Sequence, residues 1–276
     1  MKKPSYAIFA ALLCVLLLLT TACGAKDDQN EPDVTKKRKA TTTAEVTGDA
    51  SKILSDAIKK MRATTSFCET TTEKTKYNIE NETITSTVNS ETRFIKVGEN
   101  NFEFSQKTMF EGTLDAGELC LYYKDGVEYL DFGDFKYSQP FTPDKFADAG
   151  IILNNLPDYT SFFGKITAVT NGSEYTITAS NPNDLGKAYF SKLFGSDEGD
   201  IDTTTLSDLT AVFETDDKGY IVKTTFSAVL TEDTLNMTYN TELTSKFTEI
   251  NKIKKIDFPD LSNFPLENPD DDGEWG

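Results

Sequence analysis

The chain contains no histidine. That one absence excludes Ser-His-Asp and Cys-His nucleophilic catalysis, and the usual zinc sites, from residues of this chain alone. Tryptophan occurs once and methionine four times, and the four cysteines fit no spaced metal-binding pattern. Positive charge is also in deficit, with 28 Lys and Arg against 45 Asp and Glu and a net charge of −17. Such a balance favours solubility and opposes nucleic-acid binding. No apolar run reaches the length of about 20 residues that a membrane span needs.

One apolar run is nevertheless present. Met1-Lys2-Lys3 is a short positive segment, and Ala7 to Leu19 is the apolar core of a signal peptide ended by Lys26 and Asp27. Leu19-Thr20-Thr21-Ala22-Cys23 closes it and resembles a bacterial lipobox. The chemistry needs the Cys23 thiol as acceptor of a diacylglycerol and a small Ala22 where the peptidase cuts. Cleavage removes Lys2, Lys3 and Cys14, leaving 26 basic against 45 acidic residues, a net −19. Two acyl chains on one cysteine hold a protein stably to a membrane. The alternatives are plain secretion after Ala22 and a retained span.

Residues 23–48 read as a disordered tether, polar and without apolar periodicity. Lys36-Lys37-Arg38-Lys39 within it is either a juxtamembrane basic patch or a solvated charge run. Roughly 225 residues follow, enough for one large domain with a real core, assigned to 49–265. The tail 266–276 is acidic and expected to be disordered.

Asp49 caps a predicted helix from Ala50 to about Arg62, with Ile53, Leu54, Ala57, Ile58 and Met61 on one stripe. From Thr65 the period changes to two. Phe67–Ile79 and Ile84–Val97 read as Thr-rich strands with one wet face, and Phe102 and Phe104 open another. Lys124-Asp125-Gly126 and Asn171-Gly172 are hairpin signals, with a further turn at Gly133-Asp134. Thr142-Pro143 opens one predicted helix carrying Phe146, Ala149, Leu153 and Leu156. Asn181-Pro182 opens a second, with Leu185, Tyr189 and Leu193 sharing its face. Tyr220 to Leu230 and Leu235 to Leu243 alternate as two further strands.

In this order the elements resemble the lipoprotein-carrier (LolA/LppX-like) superfamily, which includes uncharacterised lipoproteins of low-GC Gram-positive bacteria. The local pieces that carry the resemblance are Ser51 to Met61, Tyr122 to Gly126, Asp216 to Tyr220 and Ile256-Asp257-Phe258-Pro259. The resemblance implies an α+β fold in which a strongly curved antiparallel β-sheet, a half-barrel, wraps an N-terminal helix and two short inserted helices. It implies an apolar cavity for acyl chains, no cofactor and no catalytic residues.

Physically, an incompletely filled inner face makes an apolar pocket. Phe146, Leu153, Phe226, Leu235, Met237 and Tyr239 are the expected lining, with simple core packing as the alternative role for each. Cys68 and Cys120 are either a disulfide or two buried thiols. Asp197-Glu198-Gly199-Asp200-Ile201-Asp202 lacks the spacing of a calcium loop, so no metal site is expected. The expected protein is a non-enzymatic lipoprotein on the extracytoplasmic face of the cell membrane, anchored through Cys23 and binding a lipid or a lipidated partner. The alternative is a sensor or scaffold using the sheet for protein contacts. A hydrolase built on paired carboxylates is the third reading.

Overall fold

Among the described residues the two-residue alternation of Thr, Phe, Tyr and Val produces twelve strands, all in one antiparallel sheet. The computed structural model describes residues 44–45, 49–79, 82–98, 101–112, 117–133, 135–141, 156–194, 204–232 and 237–266. The strands are β1 (Ala44–Glu45), β2 (Ser66–Ile79), β3 (Glu82–Lys96), β4 (Phe102–Glu111), β5 (Gly117–Lys124), β6 (Val127–Phe132), β7 (Phe135–Pro140), β8 (Phe163–Asn171), β9 (Glu174–Pro182), β10 (Thr204–Thr215), β11 (Ile221–Glu232) and β12 (Met237–Thr248). Their spatial order is β1-β8-β9-β10-β11-β12-β2-β3-β4-β5-β6-β7. Two meanders, β2 to β7 and β8 to β12, therefore join where β12 lies beside β2. The sheet is open, ending at β1 and β7.

Two helices lie among the described residues, α1 (Ala50–Arg62) and α2 (Asp184–Phe194). The expected bounds of α1 hold. The Asp49 side chain accepts a hydrogen bond from Lys52 N at 3.1 Å, and Leu54, Ala57, Ile58 and Met61 are buried. It packs on β8, β11 and a 3-10 turn at Tyr159–Ser161, while α2 packs on β9, β10 and that turn. Both helices thus cover one half of the sheet, on the side called inner below. The predicted helix over Phe146 and Leu153 falls outside the described residues, as do Cys23, Leu235, most of the tether and the tail from residue 267. Within the expected tether, Ala44 and Glu45 instead pair with Thr170 and Val169 as β1, so the folded sheet begins before Asp49.

Two expectations change. Strand β10 has no counterpart in the sequence reading, because a register shift between Leu206 and Asp208 breaks its alternation. Leu206 and Leu209 are buried although they stand three residues apart. In α2 the packed face centres on Phe190, which is fully buried, whereas Leu185 is 59% exposed.

Gly186 explains that rotation. The helix start is stitched to the 3-10 turn: Asn183 Oδ1 accepts from Gly186 N at 3.0 Å, and Asn183 Nδ2 donates to Ser161 O at 2.7 Å. A Cβ on Gly186 would lie 2.3 Å from the Phe162 carbonyl oxygen. In an ordinary helix Gly→Ala gains up to ~1 kcal/mol. Here the contact is with backbone, so Gly186→Ala should destabilise by roughly 1–3 kcal/mol. A urea midpoint that rises in this variant would refute the close approach.

The last described segment straps the outer side of β5 to β7. Ser138 N donates to Pro265 O at 2.7 Å, so the edge strand β7 gains a backbone partner. The Phe264 ring stands edge-on to Tyr122 and Tyr129, at 6.2 and 5.6 Å, and Phe258 meets Tyr122 at 6.4 Å. Residues 256–266 therefore belong to the folded domain through aromatic packing rather than through a further strand.

Candidate functional site

Strand parity decides which side chains share the inner face. The fully buried Phe213 on β10 and the buried Phe226 and Leu230 on β11 fix it at one end of the register. Pairing then carries it across β12 to Tyr239, Thr241, Leu243, Ser245 and Phe247. On β2 the same face is Phe67, Glu69, Thr71, Glu73, Thr75 and Tyr77. It continues to Thr92, Ser90 and Val88 on β3 and to Gln106, Thr108 and Phe110 on β4.

This face is aromatic at its ends and polar across its middle. At one end Phe67, Phe94, Phe104 and Tyr123 stand side by side in register, with Phe102 stacked between them at 5.6 Å from Phe94 and 4.8 Å from Tyr123. At the other end Tyr77 meets Tyr239 at 5.6 Å. Between them, Thr224, Ser245, Thr71, Ser90 and Thr108 occupy one register row across five adjacent strands. At about 4.8 Å per strand the row of hydroxyls spans roughly 19 Å. Ser245, Thr71, Ser90 and Thr108 are all buried.

Two carboxylates flank this row, one on each side along β2. Glu73 Oε1 accepts from Thr75 Oγ1 at 3.0 Å and from Thr241 Oγ1 at 3.1 Å, and those two hydroxyls lie 3.1 Å apart. Glu69 Oε1 accepts from Thr71 Oγ1 at 3.4 Å, and Thr71 meets Ser245 at 3.0 Å. The segment Glu69-Thr70-Thr71-Thr72-Glu73-Lys74-Thr75 thus builds the same carboxylate–hydroxyl–hydroxyl group twice, four residues apart. Burial pushes the Glu69 carboxyl up to about 7 against the opposing hydrogen bonds from Ser245 and Thr71. Burial likewise raises Glu73, opposed by Thr75 and Thr241. Tyr77 is raised by burial and by the neighbouring Glu73 charge.

Among the described residues no strand cation adjoins these carboxylates. Lys74 and Lys76 on β2, Arg93 on β3, Lys107 on β4 and Lys246 on β12 all fall on the outer face by register. Arg93 instead pairs outside with Glu91 at 3.0 Å and Glu249 at 3.3 Å. The sequence reading of β2 and β3, with one wet face, does not hold for β2, whose polar residues occupy both faces. Only Phe67 and Tyr77, ten residues apart and on the same parity, mark the inner one.

Of the expected lining residues, three are described. Phe226 is buried among the rings of Tyr159, Phe190 and Phe213, at 5.6, 5.4 and 5.8 Å. Tyr239 lies at the far aromatic end and its hydroxyl donates to Phe194 O at 3.4 Å. Met237 is partly buried where β12 begins. Phe226 therefore packs under the Phe190 ring of α2, while Tyr239 meets the last residue of that helix and Met237 lies two residues before Tyr239 on β12.

Cys68 and Cys120 are not joined by a disulfide. Cys68 lies in register with Arg93, Ser105 and then Tyr122, which puts the two cysteines three strands apart. That is at least about 14 Å, beyond the reach of a disulfide. Residues 24–276 are expected to show two thiols on unfolding without reductant and no change of mass on reduction. Among the described residues no group of three or more acidic or Cys side chains converges as a metal site. The segment Asp197 to Asp202 lies outside them.

No family model and no curated protein matches the chain. Among solved structures, LprF from Mycobacterium bovis aligns at 12% identity over 76% of this chain and 96% of that one, with a TM-score of 0.44. A DUF1329 family protein from Desulfovibrio piger aligns at 10% identity over 76% and 96%, TM-score 0.27. A putative outer membrane lipoprotein-sorting protein domain from Vibrio parahaemolyticus aligns at 13% identity over 76% and 95%, TM-score 0.24.

Proposed function

We propose that the chain is an extracytoplasmic lipoprotein, held to the membrane through diacylglyceryl Cys23, that binds an amphipathic molecule on the inner face of its sheet. The bound molecule is a lipid or an acylated partner, and no bond is made or broken. On this reading the open sheet curves into a half-barrel around its helices. The observation that carries it is the inner face itself, aromatic at both ends and lined by buried hydroxyls and half-buried carboxylates between them. A sheet packed only for stability gains nothing from a buried polar row, since each buried hydroxyl costs free energy unless it finds a partner. An amphipathic ligand uses both chemistries.

The test is mass spectrometry of an organic extract of residues 24–276 purified without detergent. A stoichiometric amphiphile is the expected result and identifies the ligand class. A clean extract, with no uptake of added amphiphile, would overturn the reading. A second reading, a scaffold for protein contacts, is favoured by Phe132 and Phe135, 41% and 48% exposed beside the edge of the sheet. It predicts loss of a cross-linked partner on Phe132→Ser/Phe135→Ser with ligand content unchanged.

A further inference from the structure

Glu69 and Glu73 stand on the inner face of β2, one on each side of the hydroxyl row. Their own neighbours supply hydroxyl donors: Thr75 and Thr241 to Glu73, and Thr71 to Glu69. What remains over is acceptor capacity, because a carboxylate has about four acceptor sites and these hydroxyls have already spent their protons. Thr108 Oγ1, at the far end of the same hydroxyl row, is buried to 1% exposure and among the described residues has no hydrogen-bond partner. A buried hydroxyl without a partner is a vacancy in the hydrogen-bonding of this face that a ligand group can fill. The lysines of β2, β4 and β12 and Arg93 of β3 are turned to the other side, and Lys96 of β3, which shares the inner parity, stands opposite Phe102 at the aromatic end, four residues beyond the Thr92 that faces Glu69. An anionic group would therefore meet two carboxylates and no strand cation next to them.

Resting on the reading that the inner face binds an amphiphile, we infer that this face receives the ammonium group of a cationic amphiphile, seated against Glu69 and Glu73 beside the hydroxyl row. An ammonium brings three N–H donors and no acceptor, the complement of two carboxylates and their hydroxyls. Hydrogen bonds to a charged carboxylate are the strong class. The apolar tail then runs toward the aromatic ends of the face.

The test uses residues 24–276, which hold all of the described sheet and core, and compares dodecylammonium with dodecanoate by calorimetric titration at pH 8. Both probes stay below their micelle concentrations. Dodecylammonium is expected to bind at least about tenfold more tightly. Glu69→Gln/Glu73→Gln should remove that preference while leaving dodecanoate affinity unchanged or improved. Glu242→Gln/Asp208→Asn removes two exposed carboxylates and serves as the charge-matched control. It should keep the preference, which separates the site from attraction to the acidic protein as a whole. Equal binding of both probes, tighter dodecanoate binding, or an equal loss in the control overturns the ammonium site and leaves the amphiphile reading standing. Binding of neither probe overturns both.

Discussion

Glu69→Gln is expected to stabilise the protein at pH 8 and to leave it nearly unchanged at pH 5. Burial holds the Glu69 carboxyl up to about 7 in the folded state, against 4.5 for the free group. Between those two values the folded protein binds the proton more tightly than the unfolded chain does. Stability is therefore fully present below about pH 4.5 and is lost as pH rises through 7. The difference corresponds to about 3 kcal/mol. Glutamine keeps the size and an acceptor oxygen and never ionises, so it escapes that loss. The facing groups are Thr71 and Glu73 on the same strand, Ser245 from β12, Thr92 from β3 and Tyr159 from the 3-10 turn. Of these Glu73 and Tyr159 are titratable, and neither supplies a cation. Urea midpoints of both proteins at pH 5 and pH 8 decide the matter. An equal shift at both pH values would mean that Glu69 is not the group that titrates.

The largest loss should come from Phe190→Ala. Phe190 is fully buried, with ring centres of Tyr159, Phe162, Phe163, Tyr189, Phe194 and Phe226 between 5.1 and 6.3 Å away. Truncating such a ring costs about 3–5 kcal/mol, in lost burial and in the cavity that remains. For a domain of this size each kcal/mol lowers Tm by roughly 2–4 °C, so a fall of about 6–20 °C is expected. Leu185→Ala, on the same helix but 59% exposed, should stay within about 0.5 kcal/mol. Comparable losses in the two variants would mean that α2 docks on its Leu185 face.

That contrast also shows where the sequence is legible. Helix α1 is readable to the residue because capping, periodicity and charge agree: Asp49 caps, the apolar stripe keeps its spacing, and Lys59, Lys60 and Arg62 fill the last turn. The Asp125-Gly126 loop is readable because both residues take positive φ, 53° and 81°, as a two-residue hairpin turn demands. Leu185 misleads because a helix face is set by what it meets, and the deciding contact is Gly186 against the Phe162 carbonyl. Strand β10 is hidden by a shift of one residue in its pairing. The site itself is hidden most deeply. Threonine and glutamate at the inner positions of β2 look solvated, and only pairing with β12 and β3 places them inside.

The junction of β12 with β2 has a consequence for how the protein comes to exist. Within each meander, neighbouring strands are joined through short stretches of chain, apart from the 183–203 connection that carries α2, and close little loop as they pair. At the junction, Thr248 lies opposite Cys68, 180 residues away along the chain. Closing a loop of that length has to be paid in chain entropy before any contact there returns it. The two meanders can then take shape separately and meet late. The hydroxyl row crosses the same seam, with Thr224 and Ser245 contributed from one side and Thr71, Ser90 and Thr108 from the other. Neither half of the chain possesses the row alone, so the row is complete only with the final step of folding.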